Sequence, residues 1–364
     1  MIYLSIKSCS ITELTDFKFG HAQDFQAATG VTVITTTEGQ GVTAGVDVRG
    51  SAPGTRETDL LDPTNLVEEV HGIFLAGGSA FGLEAAGGIM KYLEESGVGV
   101  PTGYAKVPIV PGAILFDLGI GDPRTRPDAN MGYQAAKNAA NSNPQEGNYG
   151  CGTGATIGKF AGEAHAMKAG VGVSAFRTGD LIVASLVAVN CFGEVIDPET
   201  GQIIGGAYDS STYQFIRARE VLGHDSESDK ENSNSADNGK DQGNSHGDSE
   251  RDSGGYNDDN DDGERSIFSR NNTTIGVVVT NAQLTKAAAT KVSQMAHSGI
   301  SRTTRPAHSM LDGDALFTMA SGRVTSDLTL IGELAALSVE KSIINGVTKA
   351  QSSHNLPAHN DIFF

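Results

Sequence analysis

The stretch from His224 to Arg265 holds a single Tyr and no aliphatic side chain larger than Ala236. A segment so poor in apolar surface cannot offset the entropy of ordering it, and it reads as an acidic linker over residues 223–270. Whatever the chain folds into must therefore be assembled from the pieces on either side. The first ends near Leu222. The second opens at once with Asn-Asn-Thr-Thr-Ile-Gly-Val-Val-Val, residues 271–279, a β-branched run suited to the middle of a sheet. A solvated tail running straight into a buried strand is an unusual junction, and it directs attention to the bond between Asn272 and Thr273.

The linker also explains the charge. Between His224 and Arg270 there are 14 Asp/Glu against 5 Lys/Arg, a net of -9 out of -18 for the chain. The rest is only moderately acidic and lacks the clustered Lys and Arg that phosphate binding needs, so nucleic acid is not an expected partner. Cys9, Cys151 and Cys191 are odd in number and show no CxxC spacing, which indicates neither a disulfide framework nor a zinc site. No charged-then-apolar leader opens the sequence, and no apolar run is long enough to span a membrane. A cytoplasmic protein without cofactor or metal is expected.

Strands are legible at Gly30–Thr35, Gly72–Ala76, Ala169–Ala175 and Leu181–Asn190. Glu194–Ile196 and the turn residues Asp197 to Gly201 then suggest a hairpin. Helices are expected from Ser79 to about Ser96, from Thr285 to just before Gly299, and after Ser326, where Leu328, Ile331, Ala335, Val339 and Ile343 share one face. Strands and helices alternate irregularly, so the fold class is α+β rather than a doubly wound parallel sheet.

Several motifs fail on inspection. Asp258, Asn260, Asp262 and Gly263 have the spacing of half a calcium loop, but Ser269 stands where a bidentate Glu is needed. Gly150–Phe160, GCGTGATIGKF, lacks both a Gly and the Ser/Thr of a phosphate loop. Gly77–Gly82, GGSAFG, has Phe81 in place of the second Gly of a serine nucleophile elbow. It reads instead as a helix start whose backbone N–H groups could meet an anion.

The junction itself offers chemistry. A hydroxyl nucleophile needs a base, and an N-terminal Thr supplies its own α-amine, with an unperturbed pKa of about 7.7. Using Thr273 this way requires cleavage directly before it. Farther on, Met310–Phe317, MLDGDALF, carries Asp312 and Asp314 two residues apart, which on an extended segment project to one side. Asp-Gly-Asp is also an ordinary solvated turn.

The run from Asn271 to Phe317, together with FLAGGSAFGLEAAGG and GCGTGATIGKF, resembles the L-aminopeptidase D-amidase/esterase family, which includes β-peptidyl aminopeptidases and nylon-oligomer (6-aminohexanoate-oligomer) hydrolases. The resemblance implies an N-terminal-nucleophile-like αββα four-layer sandwich, autocleaved into α and β chains. Residues 1–222 and 273–364 would then form one catalytic domain, assembled into homo-oligomers of αβ units with a tetramer as the candidate size. It implies Thr273 as nucleophile, with autocleavage between Asn272 and Thr273. Asp312 and Asp314 would orient the nucleophile and its amine, Lys159 would lie beside it, and Asn190 would contribute to the oxyanion hole. Phe81 replaces a Tyr of several relatives and cannot donate, so either the backbone N–H groups near Gly77 and Gly78 suffice or that step is weaker here.

The expected activity is hydrolysis of short peptides, amino-acid amides or ω-amino-acid oligomers. The alternatives are an acyltransferase like ornithine acetyltransferase, or a non-enzymatic acidic binding protein.

Overall fold

The computed structural model describes residues 5–37, 39–222 and 272–363. The expected acidic linker and the rejected calcium loop lie outside the described residues.

Two sheets position the site, and their strands are numbered here in chain order. One sheet runs β1 (Lys7–Ser8), β8 (Val171–Thr178), β9 (Leu181–Asn190), β10 (Thr273–Ala282), β11 (Ala315–Val324) and β4 (Thr43–Val48) from edge to edge. The other runs β2 (Phe17–Asp24), β3 (Thr29–Thr36), β6 (Gly72–Ala76), β7 (Gly112–Ile114) and β5 (Thr55–Arg56). The two segments flanking the acidic stretch meet in the first sheet, where β9 and β10 pair antiparallel over eight residues. β10 and β11 are parallel, and helix α3 (Lys286–Thr303) makes the crossover that a parallel pair needs.

Both central strands read as continuous apolar runs because both faces are covered. Ile275, Val277 and Val279 of β10 join Leu186, Phe317, Phe17, Ile34 and Leu75 in a core between the sheets. Val278 joins Val187 and Leu316 in a core beneath α3 and α4 (Leu328–Thr348), which present Val292, Ala296, Ile331, Leu334 and Val339. On the far side, Val31, Val33 and Phe74 pack against Ala85, Ile89 and Ala136 of α1 (Ala85–Glu95) and α2 (Ala129–Lys137). No helix among the described residues is long and apolar enough to cross a membrane.

Most expected elements are present, with Leu181–Asn190 and Gly72–Ala76 at the predicted bounds and Glu194–Ile196 paired with Ile203–Gly205 as a hairpin. Four details differ. Ser79 does not cap an α-helix: it has φ 55° and begins a 3-10 segment, Ser79–Glu84, so α1 starts only at Ala85. Gly299 does not end α3, because its missing Cβ lets the helix approach α4, where a methyl group would lie 2.4 Å from the Ala336 carbonyl oxygen. Asp327, not Ser326, caps α4 by accepting from the Leu330 N–H at 3.0 Å. The strand expected at Ala169–Ala175 pairs from Val171 onward.

Candidate active site

The register of β9 and β10 sets Asn190, the last residue of one, opposite Thr273, the first of the other. Asn272 lies just outside the strand in a single parallel bridge with Asp312. Its N–H donates to the Leu311 carbonyl at 3.0 Å, and its own carbonyl oxygen accepts from the Gly313 N–H at 2.8 Å. The Thr273 hydroxyl also lies against that carbonyl oxygen. Asn272 and Thr273 are 1% and 4% exposed. Gly313 is required here, since a Cβ would fall 2.6 Å from the Ala52 carbonyl oxygen and 2.9 Å from Thr273 Oγ1.

The Asp-Gly-Asp turn is buried rather than solvated, with Asp312 and Asp314 at 1% and 2% exposure. Their carboxylates flank the start of β10. Asp312 accepts from the Ser309 N–H at 2.9 Å, the Ser309 hydroxyl at 2.5 Å and the Phe192 N–H at 3.4 Å. Burial raises its pKa, the neighbouring Asp314 charge raises it further, and the Ser309 donors oppose both. Asp314 Oδ1 accepts from the Thr274 N–H at 2.6 Å, while Oδ2 meets His308 Nδ1 at 2.7 Å.

Lys159 and Asn190 form a second group on the other side of Thr273. Asn190 Oδ1 accepts from Lys159 Nζ at 2.9 Å and from the Thr156 N–H at 3.0 Å, and its Nδ2 donates to the Phe116 carbonyl at 3.0 Å. One of the two side-chain N–H groups expected to serve an oxyanion is thus already engaged. Burial pushes the Lys159 ammonium down to about 8, against the pull of Asp312 and Asp117. A pocket of about 330 Å³ opens beside this group, lined by Phe116, Thr156 and Lys159 together with Asp117, Ile120 and Glu163. Three of its walls are therefore direct partners of Asn190.

The amides of Gly77 and Gly78 are not free to meet an oxyanion. The Gly77 N–H donates to the Gly30 carbonyl at 2.9 Å, and the Gly78 N–H donates to Asp117 Oδ1 at 2.7 Å. Both amides are occupied, the second by a carboxylate of the same chain, so neither stands in for a Tyr hydroxyl. Phe81 is 56% exposed, with the Arg126 guanidinium 3.7 Å above its ring.

Asp117, Gly313, Ser309 and His308 were not singled out from the sequence. Ser309 and His308 precede Asp312 by three and four residues, and a Ser three residues ahead of an Asp was a readable turn signal. Nothing local pointed to Asp117, whose partners Thr29 and Gly78 are distant in sequence.

The model of peptidase family S58 matches residues 9–360 of the chain. An uncharacterized aminopeptidase of Mycobacterium tuberculosis is 36% identical over 384 aligned residues, covering 97% of this chain and 98% of that protein. A 6-aminohexanoate-oligomer endohydrolase of Kocuria sp. is 26% identical, covering 90% and 79%. Among solved structures, the L-aminopeptidase D-Ala-esterase/amidase of Ochrobactrum anthropi, described as a variant of the Ntn hydrolase fold, superposes with a TM-score of 0.63 at 16% identity, covering 95% and 89%. The β-aminopeptidase of Burkholderia sp. superposes with a TM-score of 0.61 at 18% identity, covering 94% and 86%. At these identities the two superpositions establish the Ntn-hydrolase fold, while the family match and the aminopeptidase relative carry the activity. A fold of that kind, matched almost end to end by hydrolases of peptide and amide bonds, leaves a single conclusion: the chain is such a hydrolase and belongs to peptidase family S58.

Proposed function

We propose that the chain cuts its own Asn272–Thr273 bond and then works as an N-terminal-threonine amide hydrolase. The observation that carries this reading is the Asn272 carbonyl, set between the Thr273 hydroxyl and the Gly313 N–H. Thr273 Oγ adds to the Asn272 carbonyl carbon, and the oxyanion so formed accepts the Gly313 N–H. The C–N bond breaks, and the hydroxyl proton passes to the departing Thr273 nitrogen. Water then hydrolyses the ester, leaving an Asn272 carboxylate and a free α-amine on Thr273.

In turnover that amine takes the Oγ proton, Oγ attacks the substrate carbonyl, and the substrate amine leaves with the proton. Hydrolysis of the acyl-enzyme restores the site. Asp314 anchors the new chain end through Thr274, Asp312 holds the Thr273 amine from the other side, and Lys159 lowers the pKa of that amine by like charge. The second N–H of Asn190, directed away from Phe116, is the oxyanion donor in turnover.

The three cores described above support an αββα layering. The shared sheet supports a single catalytic domain formed from residues 1–222 and 273–364. Assembly into homo-oligomers of αβ units is part of the proposal. The pocket beside Lys159, with Phe116 and Ile120 on its walls, suits the short aliphatic part of an amide substrate, either a small peptide or an ω-amino-acid oligomer.

A denaturing gel with N-terminal sequencing tests the proposal. The 37.8 kDa chain should give bands of about 28 and 10 kDa, in proportion to residues 1–272 and 273–364. The smaller should begin Thr-Thr-Ile-Gly, and Thr273→Ala should stay whole and inactive. Full activity from uncut protein would overturn it.

A further inference from the structure

The two oxygens of Asp314 have different tasks. Oδ1 accepts from the first amide inside β10, that of Thr274, at 2.6 Å. Oδ2 accepts twice from one residue, from the His308 ring at 2.7 Å and from the His308 backbone N–H at 3.2 Å. A ring nitrogen facing a carboxylate oxygen carries the proton, so Nδ1–H is the donor.

His308 is itself held from behind. Its Nε2, the acceptor nitrogen in that tautomer, lies 3.4 Å from Ser301 Oγ, whose one proton is shared between this nitrogen and the His297 carbonyl oxygen 3.2 Å away. Its ring packs edge-on against the His297 ring, with centroids 4.9 Å apart at 69°. His297 is fully buried, and its Nε2 faces the Asp47 carbonyl oxygen at 3.0 Å and the Asp47 carboxylate at 3.5 Å. Asp47 in turn is paired with Arg49 at 2.6 Å.

The His308 backbone has φ 55°, a left-handed conformation that a residue other than Gly adopts at a cost. Such strain persists only where the surroundings over-determine it. Here it turns the backbone N–H and the ring N–H of one residue onto the same carboxylate oxygen.

We infer that His308 is a positioning residue, which fixes the free rotation of the Asp314 side chain so that its other oxygen holds the amide next to Thr273. The inference rests on Thr273 being the nucleophile. Without the His308 ring, the Asp314 carboxylate keeps only the Thr274 amide and the longer contact from the backbone N–H of residue 308, and its orientation beside the like-charged Asp312, itself held by Ser309, is no longer fixed. The first residue of β10, whose hydroxyl and amine must both be aimed, then loses its outer brace.

The test compares His308→Gly with His308→Asn. Both suit the left-handed backbone, but only Asn returns a side-chain N–H near the Nδ1 position. The glycine variant should slow both fragment formation and kcat by roughly 10- to 100-fold, the loss expected of one charge-assisted hydrogen bond, with KM little changed. The asparagine variant should recover most of that loss. Should His308→Gly not fold, His308→Gln replaces it, its amide displaced by one methylene, and the gap should keep its direction. Wild-type rates in the glycine variant, or no recovery with Asn in proteins of equal melting temperature, would overturn the role. Thr273→Ala is run alongside. If that variant is cut or active, the nucleophile reading fails; if it is inert and His308→Gly matches wild type, only the positioning role fails.

Discussion

The Gly313 N–H points at the carbonyl oxygen of Asn272 from 2.8 Å, and the absent side chain of Gly313 leaves room for the Thr273 hydroxyl. One residue thus supplies a donor to the carbonyl to be cleaved and the space for the group that attacks it. Gly313→Ala would place a methyl group 2.9 Å from Thr273 Oγ1 and 2.6 Å from the Ala52 carbonyl oxygen, so something must shift. We expect the variant to accumulate as the uncut chain and to lose about 1–3 kcal/mol of stability from overpacking. A gel time course after expression, with a thermal melt, reads both. Processing at the wild-type rate would mean that this close fit is not needed for cleavage.

Asp312 gives a prediction in pH. Its carboxyl is charged above its pKa, so activity that needs the charge rises as pH climbs through that value. Burial already lifts the pKa, and the Ser309 donors hold it down. Ser309→Ala removes the 2.5 Å hydroxyl contact, lifts the pKa further, and should move the acidic limb of the kcat profile to higher pH. A limb that stayed in place, or moved to lower pH, would show that Asp312 does not set it.

How much of this was legible follows from where the information lies. β9 and β10 were readable because long β-branched runs bounded by turn residues carry their own signal. β5 and β7, of two and three residues, were not, because no periodicity fits in so short a span. Gly299 and Ser79 misled for a shared reason: local rules read a Gly as a helix end and a Ser as a helix start, but tertiary neighbours decide both. The helix α4 backbone needs Gly299, and the Asp117 carboxylate draws the loop at Gly78 into a left-handed turn. Thr273 was legible as a candidate from its junction, and Asp312 and Asp314 became candidates through the family resemblance; the fold sets both beside the start of β10. The posture of Asn190, with one N–H committed to Phe116, could only come from the fold.

Asp117 lets stability report on the pocket. Its carboxyl is buried and pushed up to about 6, despite the Gly78 N–H and the Thr29 hydroxyl that donate to it. Between pH 4 and 6 the folded chain therefore holds a proton that the unfolded chain has released. Stability from this group is present at low pH and is lost as pH rises through 6. Asp117→Asn keeps an acceptor for Gly78 and turns a donor toward Thr29, so it should stabilise the protein by on the order of 2 kcal/mol at pH 8. At pH 4 the gain should vanish. Denaturant melts at both values check this, and an equal effect at each would show that the charge is not the cause.

Lys159 supplies the last prediction. Burial brings its ammonium down to about 8, so the residue passes from charged to neutral within the range where the enzyme can be assayed. The charged form donates to Asn190 Oδ1 and, in the mechanism proposed above, keeps the Thr273 amine unprotonated. Because a lysine is cationic below its pKa, that help is present at pH 7 and is lost as pH rises through 8. Wild-type kcat should therefore fall on the alkaline side near 8. Lys159→Arg, whose guanidinium stays charged, should carry measurable activity with the alkaline limb moved well upward. Lys159→Met should lose roughly 100-fold or more below pH 8, the scale set by removing one preorganised charged or donating group from an active site, and the gap should narrow above that pH. A kcat profile of Lys159→Arg with its alkaline limb still near 8 would assign that limb to another group, the Thr273 amine being the first to test.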